Sequence, residues 1–221
     1  MVKEITALAW SERSEPENVY PDGINGAVAE GLNAAEGITA SATDITMPEH
    51  GLTEEVLSRT DVLLWWGHKY HEEVAQEVAE RIARHVRERG MGFVPIHSSH
   101  YSRPFRALMG TECGLGGWRE DDAPESIHVV MPNHPIAKGV NDFVIPKTEM
   151  YNEPFAVPPP DALLLESRFE QGEYFRSGCC WTVDKGRVFY FRPGHETQPI
   201  LYRDDVRRII ENAVRWVAKE T

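Results

Sequence analysis

Two short apolar runs with one long helical repeat between them constrain the fold more than any other part of the chain. The runs are Asp61–Trp66 (DVLLWW) and the start of Gly92–Phe105 (GFVPIHSSHYSRPF), with Phe93, Val94 and Ile96 as its apolar members. A run with no alternation has no polar face to offer water, so it reads as a strand covered on both sides, as in parallel sheets. Between them, Glu72–Arg89 places Val74, Val78, Ile82 and Val86 four apart with charges opposite, and Gly90 stops it. That is a helix with one buried stripe. A strand, a helix and a second buried strand in this order predict a crossover unit, with the helix laid on a parallel sheet.

The flanking segments extend the pattern. Ile5–Trp10 reads as a first strand, followed by the acidic loop SERSEPENVY. A helix opened by Pro21-Asp22-Gly23 carries Ile24, Ala27, Val28, Leu32 and Ala35 on one face and ends at Gly37. Ile38–Ile45 reads as a second strand, and Thr53 caps a short helix through Leu57. Beyond Phe105, Gly110–Pro124 is rich in glycine and acid and reads as a surface loop, followed by a strand at Ile127–Met131. Pro154–Pro160 holds four prolines and must be irregular, and Leu163–Leu165 is strand material. Gly172–Thr182 and Gly186–Arg192 form a hairpin turned by Asp184-Lys185-Gly186, and Asp204–Lys219 is the last helix. The expected fold is one α/β domain over residues 1–221: a mostly parallel central sheet with helices on both faces, plus a C-terminal β-hairpin. Pro95 resists this reading, because a proline inside a central strand gives up a ladder hydrogen bond.

Composition narrows the partners. Lys+Arg 23 against Asp+Glu 35 gives a net charge of −12, which repels phosphate backbones and anionic lipid, so neither nucleic acid nor a membrane is expected. Three cysteines, two of them adjacent at Cys179 and Cys180, make neither a disulfide framework nor a CxxC metal motif, which fits a reducing compartment. MVKEITALAW shows no signal-peptide layout and no stretch approaches 18 apolar residues. A soluble cytoplasmic protein is expected, as monomer or homo-oligomer.

Three strands end in histidine-bearing loops: LLWWGH at His68, VPIH at His97 and FYFRPGHE at His195. If the three run parallel in one sheet, the histidines meet at the edge where open α/β sheets bind ligands. The competing reading is that His97-Ser98-Ser99-His100 only caps the next helix. Pro193-Gly194 presents His195 and Glu196 on a constrained backbone, and a carboxylate beside an imidazole fixes its tautomer or raises its basicity. Arg192 binds a substrate carboxylate or hydroxyls, or else pairs with acids. Trp65 and Trp66 point to opposite faces; both are core, or Trp66 stacks on a sugar. Glu149 to Glu153 offers two carboxylates and the Tyr151 phenol, against the plainer reading of a solvated loop. His71 and His85 read as structural, and His50, His128 and His134 have no evident partner.

Taken together, WWGHKYHEEV, HSSHYS, NHPIAKGV, TEMYNEPF, FRSGC and GRVFYFRPGHETQP resemble the trehalose-utilisation (ThuA-like) family over nearly the whole chain. That resemblance implies a flavodoxin-like, class I glutamine amidotransferase-like fold, in which a proline just before the nucleophile turn is usual. Amidotransferases place a cysteine in that turn and a histidine–glutamate pair late in the chain. Here His97 occupies the cysteine position, the late pair is His195-Glu196, and none of the three cysteines lies in the turn. A glutamine-hydrolysing thiol is therefore not expected.

The resemblance further implies a small-molecule carbohydrate substrate, a trehalose-type disaccharide or its 3-keto derivative. A keto-sugar carries acidic protons beside its carbonyl, and removing one needs a base of near-neutral pKa and a group to stabilise the enediolate. The expected catalytic set is His97, His195, Glu149 and Glu196, with Trp66, His68, His100, Tyr151 and Arg192 contacting substrate. Three alternatives stand: an acid–base enzyme, a non-catalytic carbohydrate-binding accessory protein, and a metal-dependent hydrolase. A divalent ion such as zinc would be held by His68, His97 and His195, with Glu149 or Glu196 fourth; otherwise there is no cofactor.

Overall fold

A computed structural model describes residues 4–219 of the chain. Residues 1–3, the start of the stretch read as leaderless, and residues 220 and 221 lie outside it. The strands are β1 Ile5–Ser11, β2 Ile38–Asp44, β3 Val62–Trp66, β4 Gly92–Ile96, β5 Gly117–Val129, β6 Phe143–Asn152, β7 Ala162–Phe169, β8 Tyr174–Val183 and β9 Gly186–Phe191. The helices are α1 Gly23–Asn33, α2 Glu54–Arg59, α3 Gln76–Arg84, α4 Arg103–Met109 and α5 Asp204–Val217.

All nine strands form one sheet in the order β2-β1-β3-β4-β9-β8-β7-β5-β6. The five strands β2, β1, β3, β4 and β9 are parallel neighbours. From β9 outward every pairing is antiparallel. The expected mostly parallel sheet is therefore corrected to a mixed one. The hairpin joins it, since β9 pairs with β8 on one side and with β4 on the other.

The mixed half was hidden for a physical reason. β5 (GWREDDAPESIHV) is largely exposed over its first half, and register shifts after Glu120 and after Ala123 break its alternation. It therefore reads as a polar loop, and the Glu149 segment, whose plainer reading is a solvated loop, lies in β6. The predicted helix over 72–89 is also divided: a 3₁₀ turn at His71–Glu73 precedes α3, and a wider turn at His85–Arg89 follows it before Gly90.

Strand alternation sorts the apolar residues into two layers. Ala7, Ala9, Leu64, Trp66, Val94 and Phe191 pack under α1 and α5; Leu8, Trp10, Leu63, Trp65, Phe93 and Tyr190 pack under α2, α3 and α4. Helices thus cover both faces. Pro95 is tolerated in β4 because the ladder to β9 is made at Phe93–Val188 and Ile96–Phe191, on either side of it. As β3, β4 and β9 are parallel neighbours, their exits open at one edge of the sheet.

Candidate active site

The site begins where β4 ends. His97 follows Ile96 with φ 58, in the left-handed region that a β-carbon resists, so the chain turns sharply and the imidazole is thrown toward the sheet edge. Two contacts hold that turn: the Tyr190 hydroxyl donates to the His97 carbonyl at 2.9 Å, and His97 Nδ1 lies 3.2 Å from the Arg192 carbonyl. Ser99 Oγ donates to the Trp65 carbonyl at 2.9 Å and accepts from the Gly67 amide at 3.0 Å, which ties the β3 and β4 exits together. Ser102 Oγ then accepts from the Phe105 amide and caps α4.

The β3 exit is shaped by Glu12, a residue of the acidic loop after β1 with no distinguishing signal in the sequence. Glu12 is buried and accepts from the Lys69 and Tyr70 amides at 2.6 and 3.0 Å. The loop so held places His68 Nδ1 2.6 Å from Ser98 Oγ, and Ser98 in turn hydrogen-bonds the Tyr151 hydroxyl. At the β9 exit, Gly194 has φ 141, and a β-carbon there would sit 2.9 Å from Ile96 Cγ2. Only glycine passes this close to the elbow. The Trp66 indole N–H donates to the Gly194 carbonyl at 2.9 Å, fixing the loop that presents His195 and Glu196.

The three imidazoles converge, with ring centroids 5.2 Å apart for His68–His97, 5.4 Å for His97–His195 and 5.7 Å for His68–His195. His97 Nε2 lies 3.2 Å from Glu149 Oε2 and 3.4 Å from His195 Nδ1. His195 Nδ1 is 3.2 Å from Glu196 Oε2, and its Nε2 is 3.2 Å from Glu120 Oε1. The other oxygen of Glu196 accepts from Lys69 Nζ at 3.1 Å and stands 3.7 Å from His68 Nε2. Glu149 is 4% exposed and Glu196 2%, while Glu120 is exposed at the mouth.

Burial and charge set these groups apart. Full burial, reinforced by the neighbouring His68 and His195, holds His97 well below the usual imidazole range and keeps it neutral. Burial also presses on His195, but its bond to Glu196 and the charges of Glu196 and Glu149 outweigh it and raise it. Burial would raise Glu196; its hydrogen bond to His195 and the surrounding imidazoles hold it far below the ordinary carboxylate value. Tyr151 is pushed up by burial and by Glu149, so its phenol stays protonated. Two sets have the donors and spacing for a metal ion: His68, His97 and Glu149, and His68, His195 and Glu196.

The other expected contacts stand apart from this cluster. Trp66 is 1% exposed; its indole N–H donates to the Gly194 carbonyl and its ring lies 6.5 Å from that of His68. His100 turns away from the cluster, giving Nδ1 to the Cys113 carbonyl at 2.8 Å among Tyr151, Phe155 and Tyr190. Arg192 is fully buried behind Tyr151; its guanidinium pairs with Glu125 and lies 4.8 Å from the Tyr151 ring centroid. Glu120 and Lys69 enter the site without having been singled out. Alternation within β5 is the one signal for Glu120, and the bulges after it erase that signal.

Fold and site together define an α/β protein with a glutamine amidotransferase-like fold, in which three imidazoles meet at one sheet edge. The family model described as "ThuA: Trehalose utilisation" matches residues 7–217, and the chain belongs to that family. It is similar in structure to a ThuA-like protein from Bacteroides uniformis ATCC 8492 at 18% identity, with 98% of this chain and 92% of that one covered and a TM-score of 0.69. A glutamine amidotransferase from Thermotoga maritima superposes with a TM-score of 0.58 at 10% identity, over 98% of this chain and 99% of that one. A cold-adapted β-galactosidase from Rahnella sp. R3 carries the same fold within a larger chain: TM-score 0.64, 14% identity, 100% of this chain against 32% of that one. No curated protein matches the chain in sequence. No helix among the described residues is long and apolar enough to cross a membrane.

Proposed function

We propose that the protein is an acid–base enzyme of disaccharide breakdown that acts on a keto-disaccharide of the trehalose type, with His195 as the residue that moves the proton. The observation that carries this reading is the position of His195, buried between Glu196 on Nδ1 and Glu120 on Nε2 at the meeting point of three strand ends. Carboxylates on both nitrogens hold the ring and stabilise the imidazolium that a proton transfer creates. The membership in a trehalose-utilisation family supports the substrate class.

The chemistry follows from a carbonyl at C3 of one sugar ring. His195 takes the proton from C2, and the C–H electron pair enters the enediolate. As the enediolate collapses, the glycosidic C1–O bond breaks, and the leaving oxygen receives the proton from the His195 imidazolium. Water adding to the resulting enone completes the cleavage. Lys69, bonded to Glu196 and half exposed, is a cation placed to meet the enediolate oxygen. Trp118 is 63% exposed and is the register partner of Tyr151, so it shares the sheet face of Glu120 and offers an aromatic surface to a sugar ring. Cys113, Cys179 and Cys180 are buried away from the cluster and take no part.

The test is incubation with 3-keto-trehalose and with trehalose in D2O. Sugar release from the keto form, deuterium exchange beside its carbonyl, and loss of both by about 100-fold or more in His195→Gln are expected. A wild-type protein that binds the keto-sugar and leaves it unchanged, without exchange, overturns the catalytic reading and makes the protein a carbohydrate-binding accessory.

A further inference from the structure

We propose that His68, His97 and Glu149 hold a divalent transition-metal ion beside the His195–Glu196 pair. The hydrogen bonds of His97 fix its tautomer. Its Nδ1 faces a backbone carbonyl, that of Arg192, at 3.2 Å. A carbonyl only accepts, so the ring proton sits on Nδ1 and Nε2 presents a lone pair, with His195 Nδ1 3.4 Å and the Tyr151 hydroxyl 3.5 Å away. That lone pair faces Glu149 Oε2 at 3.2 Å. Two acceptors at this distance repel unless a positive centre lies between them. Glu149 Oε2 is itself buried and has no hydrogen-bond donor. A buried carboxylate oxygen in that condition is destabilising, and a cation removes the penalty.

His68 completes the set. With Nδ1–H given to Ser98 Oγ at 2.6 Å, it presents Nε2 to the same space, and its ring stacks parallel to that of His97 at 17°. The three ligand atoms all lie within 4.8 Å of one another. Ligands about 2.0–2.2 Å from zinc in a tetrahedral site stand roughly 3.4 Å from each other, close to the His97–Glu149 separation. Each imidazole has the outer hydrogen bond that orients metal-binding histidines, to a carbonyl for His97 and to a hydroxyl for His68. Two imidazoles and one carboxylate leave further positions open, as catalytic sites do, and their softness favours zinc and its first-row neighbours over magnesium or calcium.

The fourth neighbour is informative. His195 Nδ1 is 3.4 Å from His97 Nε2 but already faces Glu196 at 3.2 Å, so it stands beside the ion as the proton-moving group and is not one of its ligands. The inference uses the same pocket as the proposed function but does not depend on the sugar reading, since metal is measured without any substrate.

The experiment uses the full chain, purified without a histidine tag and stripped by a chelator. Zinc and manganese are titrated calorimetrically, with the melting temperature followed in parallel. The expected result is one equivalent of zinc bound and a raised melting temperature. Loss of an outer-sphere partner weakens metal sites by about 10–100-fold, so Glu149→Gln and His97→Asn should weaken binding by at least about 100-fold. Asparagine is chosen at 97 because it tolerates the left-handed backbone. His85→Gln, remote and bonded to Glu54, should bind as wild type. No heat and no melting shift in about a hundredfold molar excess of either ion overturns the proposal, and so does binding that both site variants leave intact. Metal binding without turnover of keto-sugar sinks only the substrate reading; full turnover by chelated, metal-free protein sinks only the metal as a catalytic element.

Discussion

Glu120 and Glu149 are register partners across the β5–β6 ladder, and their carboxylates meet opposite nitrogens of one imidazole, that of His195. Directly opposed residues in an antiparallel pair share a face about 4.5–5.5 Å apart, which for two acids alone is unfavourable. The imidazole between them removes the conflict. The antiparallel half of the sheet therefore supplies two carboxylates of the site, while the parallel half supplies its three histidines together with Glu196 and Lys69.

The two acids should differ in consequence. Glu149→Gln removes a buried charge that faces both His97 and His195, and turnover of a keto-disaccharide should fall by about 100-fold or more. Glu120 is exposed and touches only the outer nitrogen, so Glu120→Gln should cost about 10-fold, through the orientation of His195. Steady-state kcat on the two variants checks the order. Equal losses, or a larger loss for Glu120→Gln, would place the working carboxylate at the mouth.

That division also explains what the sequence revealed. Val62–Trp66 and Gly92–Ile96 are buried on both faces, so their apolar runs are unbroken and their exits, with His68 and His97, are visible without a structure. β5 is polar and bulged, so Glu120 is indistinguishable from a surface acid. The positions of Trp66, His100 and Arg192, buried beside the cluster, share another cause. Each is an aromatic or polar residue at a strand exit, and proximity in sequence does not say whether its side chain faces the mouth or the packing beneath it. Trp66 and Arg192 sit one residue before the turn, on the buried side; His100 lies one 3₁₀ turn past the elbow, against Phe155 and Tyr190.

The cysteines should be silent. Burial pushes the Cys113 thiol up to about 11 and that of Cys179 up to about 12, and both lie outside the cluster. Thiolate is the reactive form, so alkylation of the folded protein by iodoacetamide at pH 8 should be far slower than of the unfolded chain. Replacing all three by serine should leave turnover within about twofold, with some loss of stability from polar groups placed in the core. Glutamine hydrolysis abolished by any one of these changes would reverse the assignment of the elbow to His97.

Stability should fall on the acid side of neutrality. Burial drives His100 down to about 3, so the folded protein keeps it neutral. The unfolded chain has an ordinary histidine near 6.5 and takes up a proton below that value. Between pH 6.5 and about 3 the unfolded state therefore binds more protons, and stability declines by about 1.4 kcal/mol per pH unit from this group alone. Above pH 6.5 neither state is protonated and the contribution is flat. His71, lowered to about 4 by burial, acts in the same direction. Urea unfolding at pH 7, 6 and 5 should show the decline, and His100→Gln should flatten it while lowering stability at pH 7. An unchanged slope in that variant would refute the assignment.

Arg192 offers the sharpest contrast between a residue that binds substrate and one that supports the site from behind. Its guanidinium is fully buried, pairs with Glu125, reaches Thr148 Oγ1 at 3.3 Å, and lies against the Tyr151 and Phe169 rings. Glu125 is buried as deeply and accepts from Ser167, and burial raises its carboxyl even against the arginine. Removing one partner of such a pair strands the other charge, so Arg192→Met should cost about 3–5 kcal/mol in unfolding free energy. Replacing both, Arg192→Met with Glu125→Leu, should recover much of that loss, because neither charge is then left unpaired. The contact that His97 makes is to the Arg192 carbonyl, which the substitutions preserve. Turnover per folded molecule, measured in the double variant well below its melting temperature, should therefore stay within about threefold of wild type, with KM unchanged. A KM raised about 100-fold in a double variant that is stably folded would instead make Arg192 a substrate ligand, and the wall behind Tyr151 would have to open to admit one.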